Sequence, residues 1–152
     1  VVMNHTVRKA KAEGVSIGAH PSFNDLWGFG RREIHMPAAE IENIMAYQIG
    51  ALQGIAAAAG TTVTHVKPHG ALNNMACRDT SMSDALARAV KAVDPSLIML
   101  APTGSLLLQA SQEIALPTAS EVFADRTYDD DGNLTRRGDP KAMMNSIRHY
   151  PL

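Results

Sequence analysis

A single cysteine, Cys77, stands among 152 residues, so no internal disulfide can brace the fold; that usage fits a reducing compartment. Charge of one sign is missing too, because 14 Lys and Arg face 15 Asp and Glu for a net charge of -1. Without a basic tract the chain lacks the phosphate grip of a nucleic-acid binder. No apolar run reaches the roughly 18 residues needed to span a bilayer. The first residues alternate charge and apolarity too soon for a signal peptide. These absences predict a soluble, cytoplasmic protein with no nucleic-acid or membrane partner. Glycine-rich phosphate loops, the dinucleotide fingerprint, serine nucleophile elbows, His-Glu-x-x-His helices and Cys-x-x-Cys pairs are also absent. What is present is a 45% hydrophobic content, enough to fill the core of one domain.

Hydrophobic spacing and Gly/Pro punctuation divide the chain into alternating helices and strands. A helix is predicted over 3–13 and a strand over 15–20. A helix over 37–59 follows, opened by Pro37, with Ile41, Ile44, Met45, Leu52, Ile55, Ala56 and Ala59 as its apolar stripe. Strands are then predicted over 62–67, 96–101 and 118–124, helices over 82–93 and 105–115, and a last helix from Lys141. Strand–helix alternation with short connections means a parallel sheet covered by helices. The fold class is therefore α/β with about four strands, either an open sheet or half of a closed barrel. Both ends read as cut, so residues 1–152 are expected to be one domain that is a fragment of a larger barrel.

Two loops exceed the usual length, and both follow the carboxyl end of a strand, where parallel α/β folds place their sites. In the first, Pro21 forbids strand continuation, so His20 ends its strand; Gly28 and Gly30 then precede Arg31 and Arg32. Gln48 falls inside the apolar stripe and needs buried partners, which a loop backbone can supply. In the second strand His65 and Lys67 face one way, with His69 just past Pro68. An inward Lys67 can have a lowered pKa or bind a ligand carboxylate, the alternative being a structural pair with a carboxylate such as Glu121; His65 reads as structural. His20 and His69 end neighbouring strands, where they can serve as general acid and base or, less favoured, as metal ligands with a carboxylate. Glu121 and Asp125 share a face at the fourth strand's end, beside Arg126. Arg31–Arg32 and Arg136–Arg137 on the two loops could grip a carboxylate or phosphate. Asp129–Asn133 fails the spacing of a calcium loop and reads as a polar turn.

Taken in order, Gly18-Ala-His-Pro-Ser-Phe with Asp25-Leu and Gly28-Phe-Gly-Arg-Arg, then Gln48-Ile-Gly-Ala-Leu, Val66-Lys-Pro-His-Gly-Ala-Leu and Glu121-Val-Phe-Ala-Asp-Arg-Thr-Tyr, resemble the LamB/YcsF family, which is associated with 5-oxoprolinase. The resemblance covers nearly the whole chain. It implies a seven-stranded α/β barrel like that of glycoside hydrolases and polysaccharide deacetylases. It also implies ATP-dependent opening of 5-oxoproline to glutamate together with two partner subunits, with Mg2+ accompanying ATP. By motif, His20, Asp25, Lys67, His69, Asp125 and Arg126 would line the barrel mouth. His20, Lys67, His69 and Asp125 would be the catalytic residues; Asp25, Arg31, Arg32, Glu121 and Arg126 would bind substrate. The chain departs from the family in lacking its first two strands and its closing strand, and in having Asn73 where a tyrosine is usual and Asn24 where a proline is common. Two readings compete with this one: a metal-dependent amide or acetyl hydrolase, and a non-catalytic regulatory subunit. A homo-oligomer fits any of the three.

Overall fold

Four short strands carry the architecture. In the computed structural model, which describes residues 1–135 and 138–144, β1 (Ile17–Ala19), β2 (Val63–Val66), β3 (Ile98–Pro102) and β4 (Thr118–Glu121) form a parallel sheet ordered β1-β2-β3-β4. The helices are α1 (Val2–Ala12), α2 (Ala38–Ala58), α3 (Gly70–Ala76), α4 (Thr80–Val93) and α5 (Leu106–Glu113). Because each strand adds beside the one before it, right-handed crossovers place the connecting helices on one face. A doubly wound sheet reverses its order and puts helices on both faces; a barrel arc does not. The observed order is that of the arc, so of the two arrangements read from the sequence the barrel type is the one present.

Register shows which side chains meet. Ala19, Val66 and Met99 are aligned across three strands and are fully or nearly fully buried against the helices. Each large aliphatic side chain among them contributes about 1.5–3 kcal/mol on burial. Gly18, His65 and Ile98 form the alternate row on the opposite face, where Ile98 is exposed. His20 and Lys67 follow on that same face by alternation, and so does Glu121 at the end of β4. The polar groups are thus gathered at the carboxyl ends of the strands by the pleat itself.

The long helix α2 buries Ile41, Met45, Ile49 and Ala56, so Ile49 joins the stripe while Ile44, Leu52, Ile55 and Ala59 lie partly buried at its edge. Asp79 caps α4 through the Met82 amide, which starts that helix at Thr80 rather than at 82. Ser105 caps α5 in the same way through Leu108.

Three expectations need correction. β1 begins at Ile17 because the Val15 amide is still held by the Ala10 carbonyl at 2.8 Å, as the tail of α1. The turn after His69 contains a helix, α3, that Pro68 and Gly70 hide in the sequence. Residues 141–144 form a turn and a bridge to Arg126 instead of starting a helix; the remainder of that expected helix, and Arg136–Arg137, lie outside the described residues.

Candidate functional site

Pro21 stops β1 and Pro68 stops β2, and each proline is flanked by a histidine. The parallel pairing of β1 with β2 therefore delivers His20 and His69 side by side. His69 Nδ1 lies 2.9 Å from His20 Nε2, with the rings edge-to-face at 84°. Both outer nitrogens meet backbone carbonyls: His20 Nδ1 is 2.5 Å from the Lys67 oxygen, and His69 Nε2 is 2.8 Å from the Phe29 oxygen. A carbonyl only accepts, so both outer nitrogens carry hydrogen. If both rings are neutral, the two inner nitrogens then face each other with lone pairs alone. One further proton completes the chain of three hydrogen bonds. The neutral pair is consequently a proton acceptor with its acceptor site already formed.

Burial lowers the His20 pKa below 6.5, and the neighbouring His69 and Lys67 push the same way; the bond to the Lys67 carbonyl and the Glu121 carboxylate pull it back. His20 is thus neutral at pH 7 and ready to accept. The two histidines spend their facing nitrogens on each other rather than on a third point. Among the described residues no group of three His, Cys, Asp or Glu side chains converges as a metal's ligand set.

Lys67 pairs with Glu121 across the sheet and lies 4.7 Å from the centre of the Phe123 ring. The side chains are 27% and 21% exposed, so the pair is neither dry nor free. One Glu121 oxygen binds the ammonium, while Oε2 is buried without a hydrogen-bond partner among the described residues. His20, Lys67, His69, Arg31, Asn73 and Phe123 are among the residues around one cavity of about 570 Å³. Arg31 lies over the Phe29 ring at 5.5 Å, on the wall of that cavity.

The loop that supplies Phe29 is built around Asp25. Its carboxylate accepts from the Gly28 amide at 3.0 Å and from the Arg32 guanidinium. The Arg32 hydrogen bond, with help from Gly28, holds the Asp25 pKa down at about 2. Gly28 is required by contact, since a Cβ there would overlap Asp25 Oδ2. Gln48 ties the loop to α2, accepting from the Ser22 amide and donating to the Ser22 carbonyl. This is the loop-backbone role its place in the apolar stripe predicted.

The other residues singled out in the sequence have protein partners of their own. Asp25 and Arg32 are turned toward each other as the frame of the loop. Arg126 lines the cavity beside Lys67 and His69 as expected; it is buried, and two of its nitrogens donate to the Ala142 and Thr135 carbonyls, so it also pins the second long loop. Asp125 is exposed and follows β4 at a turn, where its backbone oxygen accepts from Met144. His65 fills the space above Gly18, where a Cβ would overlap its ring, and its Nδ1 meets Thr64 Oγ1. Burial pushes the Cys77 thiol up to about 11, far from a usable nucleophile. The Phe29 carbonyl, a backbone group, had no signal in the sequence, and Asn73 stood out only as a departure from the family's usual tyrosine.

The LamB/YcsF family model matches residues 1–150 of this chain. Among curated relatives, the A subunit of 5-oxoprolinase from Rhodopseudomonas palustris strain BisB5 is 57% identical over 148 residues, 97% of this chain and 58% of that protein. A Bradyrhizobium diazoefficiens relative, the second 5-oxoprolinase A subunit of that organism, is 55% identical over 97% of this chain and 58% of its own length. The crystal structure of a lactam utilization protein from Thermus thermophilus superposes with a TM-score of 0.87 at 42% identity, covering 95% of this chain and 58% of that one. The chain thus spans a little over half the length of the proteins it matches.

Proposed function

This chain belongs to the LamB/YcsF family, and on that premise we propose that it works as an A-type subunit in the ATP-dependent hydrolysis of 5-oxoproline to glutamate, together with two partner subunits. The hydrogen-bonded His20–His69 pair, opening on the same cavity as Lys67, is the observation that carries this reading. The names of the relatives support a hydrolase role and a complex of several subunits.

Opening an unstrained five-membered lactam requires water to add to the carbonyl carbon and the C–N bond to break. The neutral histidine pair takes the proton of the attacking water, and that proton completes the bridge between the rings. Lys67, at the cavity wall, offsets the negative charge on the amide oxygen and on the phosphoryl group it receives. Arg31 holds the substrate carboxylate, its planar fork suiting a bidentate grip. The proton then passes to the departing nitrogen, which becomes the amine of glutamate. ATP, when bound, would supply a phosphoryl group to the amide oxygen; breaking the C–N bond then leaves an acyl phosphate, which a second water hydrolyses to the glutamate carboxylate and phosphate. No glycine-rich phosphate loop stands in this sequence, which is consistent with nucleotide handling by the partner subunits. Asp125, Glu121 and Arg126 position the mouth: Glu121 orients Lys67, and Arg126 and Asp125 anchor the loop beside it.

The test is a reconstituted three-subunit reaction with 5-oxoproline and ATP, followed by glutamate and phosphate release. Equal release of both products, lost without this chain, is the expected result. Phosphate release that needs no 5-oxoproline, or no glutamate with any partner set, would sink the assignment in favour of a regulatory role.

A further inference from the structure

Two buried oxygens, Asn73 Oδ1 and Glu121 Oε2, have no hydrogen-bond partner among the described residues. Asn73, the fourth residue of α3, is 5% exposed and lies between the buried side chains of Leu72 and Met75. Its amide nitrogen donates to Asn74 Oδ1 at 3.3 Å. Its Oδ1 is buried and has no hydrogen-bond partner among the described residues, a condition it shares only with Glu121 Oε2. With the amide so oriented, its nitrogen is spent on Asn74 and the oxygen is the unpaired end. An asparagine is a poor helix former, and an orphaned buried acceptor weakens folding. Such a group, on a residue that lines the cavity also holding Lys67, His20 and His69, calls for a donor that the described residues do not supply.

We propose that Asn73 is a substrate-recognition residue whose Oδ1 accepts the ring N–H of the bound lactam. This deepens the 5-oxoproline reading and rests on it. In a cyclic amide the C=O and N–H lie on adjacent ring atoms and point to the same side of the ring edge. One face of the cavity can therefore read both, Lys67 donating to the oxygen and Asn73 accepting from the nitrogen. A carboxylate or phosphate offers no N–H and would meet the unpaired oxygen with repulsion. The acceptor thus selects amide over anion at that end of the cavity, while Arg31 takes the carboxylate at the other.

The experiment is calorimetric binding of two ligands, 5-oxoproline and the corresponding lactone in which a ring oxygen replaces the N–H, to the wild-type chain and to Asn73→Ala. The wild type should prefer the lactam by about tenfold or more, the size expected when a buried acceptor loses its donor. Asn73→Ala should bind both ligands alike, with a thermal midpoint equal to or above that of the wild type because the orphaned oxygen is gone. Equal wild-type affinity for the two ligands overturns the proposal and needs no folded variant. Retained lactam preference in Asn73→Ala, with or without a lowered midpoint, overturns it as well. Failure of the wild type to bind 5-oxoproline at all contradicts the proposed function itself, and this inference falls with it.

Discussion

Replacing Gly70 with alanine should separate the docking of the first long loop from all other effects on stability. Gly70 opens α3 with φ +58, and a Cβ there would lie 2.5 Å from the Gly30 carbonyl oxygen and 3.2 Å from its carbon. The left-handed conformation alone costs roughly 1–2 kcal/mol for a residue with a Cβ. The clash adds to it, because the Gly30 oxygen already accepts from Ala71 N at 2.9 Å and cannot retreat without losing that bond, worth about 1 kcal/mol. Gly14→Ala is the control, since its φ is +66 but nothing lies within 4 Å of the added Cβ. Urea unfolding at pH 7 should show a loss of about 1–2 kcal/mol for Gly14→Ala and about 2–4 kcal/mol for Gly70→Ala. Gly70→Ala should also impair turnover, since the shifted loop carries the Phe29 carbonyl away from His69. Equal destabilisation by the two variants would refute the claim that loop and helix start are locked together.

Asp25→Asn should be less stable than wild type at neutral pH, with the gap closing as the solution is acidified. A carboxylate held at about 2 in the fold contributes fully above its unfolded value near 3.9 and loses that contribution as pH falls from about 4 to 2; a gap independent of pH would contradict this. Gln48→Leu removes both bonds to the Ser22 backbone and should cost about 2 kcal/mol in urea, while leaving α2 intact by circular dichroism. Lys67→Met and Glu121→Gln, measured singly and together, should show a coupling of about 1 kcal/mol, reduced from buried-pair values by partial exposure; additive losses would mean the pair contributes nothing.

The strand–helix alternation was legible because punctuation is local: Pro21, Pro37, Pro68 and Gly60 end or start elements wherever they stand, while the barrel arc rather than an open sheet was implied only by the family resemblance. The meeting of His20 and His69 was legible for the same reason, since prolines fix both at the ends of neighbouring strands. Gln48's tie to the loop followed from the misfit of an amide in an apolar stripe. The pairing of Asp25 with Arg32 was hidden because it depends on how a loop folds back on itself, for which spacing gives no period. Arg126 was legible as a cation at the mouth, where it lines the cavity, but its bonds to carbonyls 9 and 16 residues away are invisible to any side-chain motif. Helix α3 was missed because Pro68 and Gly70 read as breakers, although Gly70 in its left-handed conformation is what allows the helix to start so soon after β2.

The central claim is that His20 and His69 act as one proton-accepting unit. The direct measurement is the rate of glutamate release from 5-oxoproline in the reconstituted complex, for His20→Ala, His69→Ala and the double variant. Groups that work as a unit give losses that do not add, so each single variant should fall about as far as the double. The wild-type rate should also rise with pH through an apparent pKa below 6.5, the direction in which burial moves His20. Losses that multiply, or a double variant that turns over at the wild-type rate, would contradict the account.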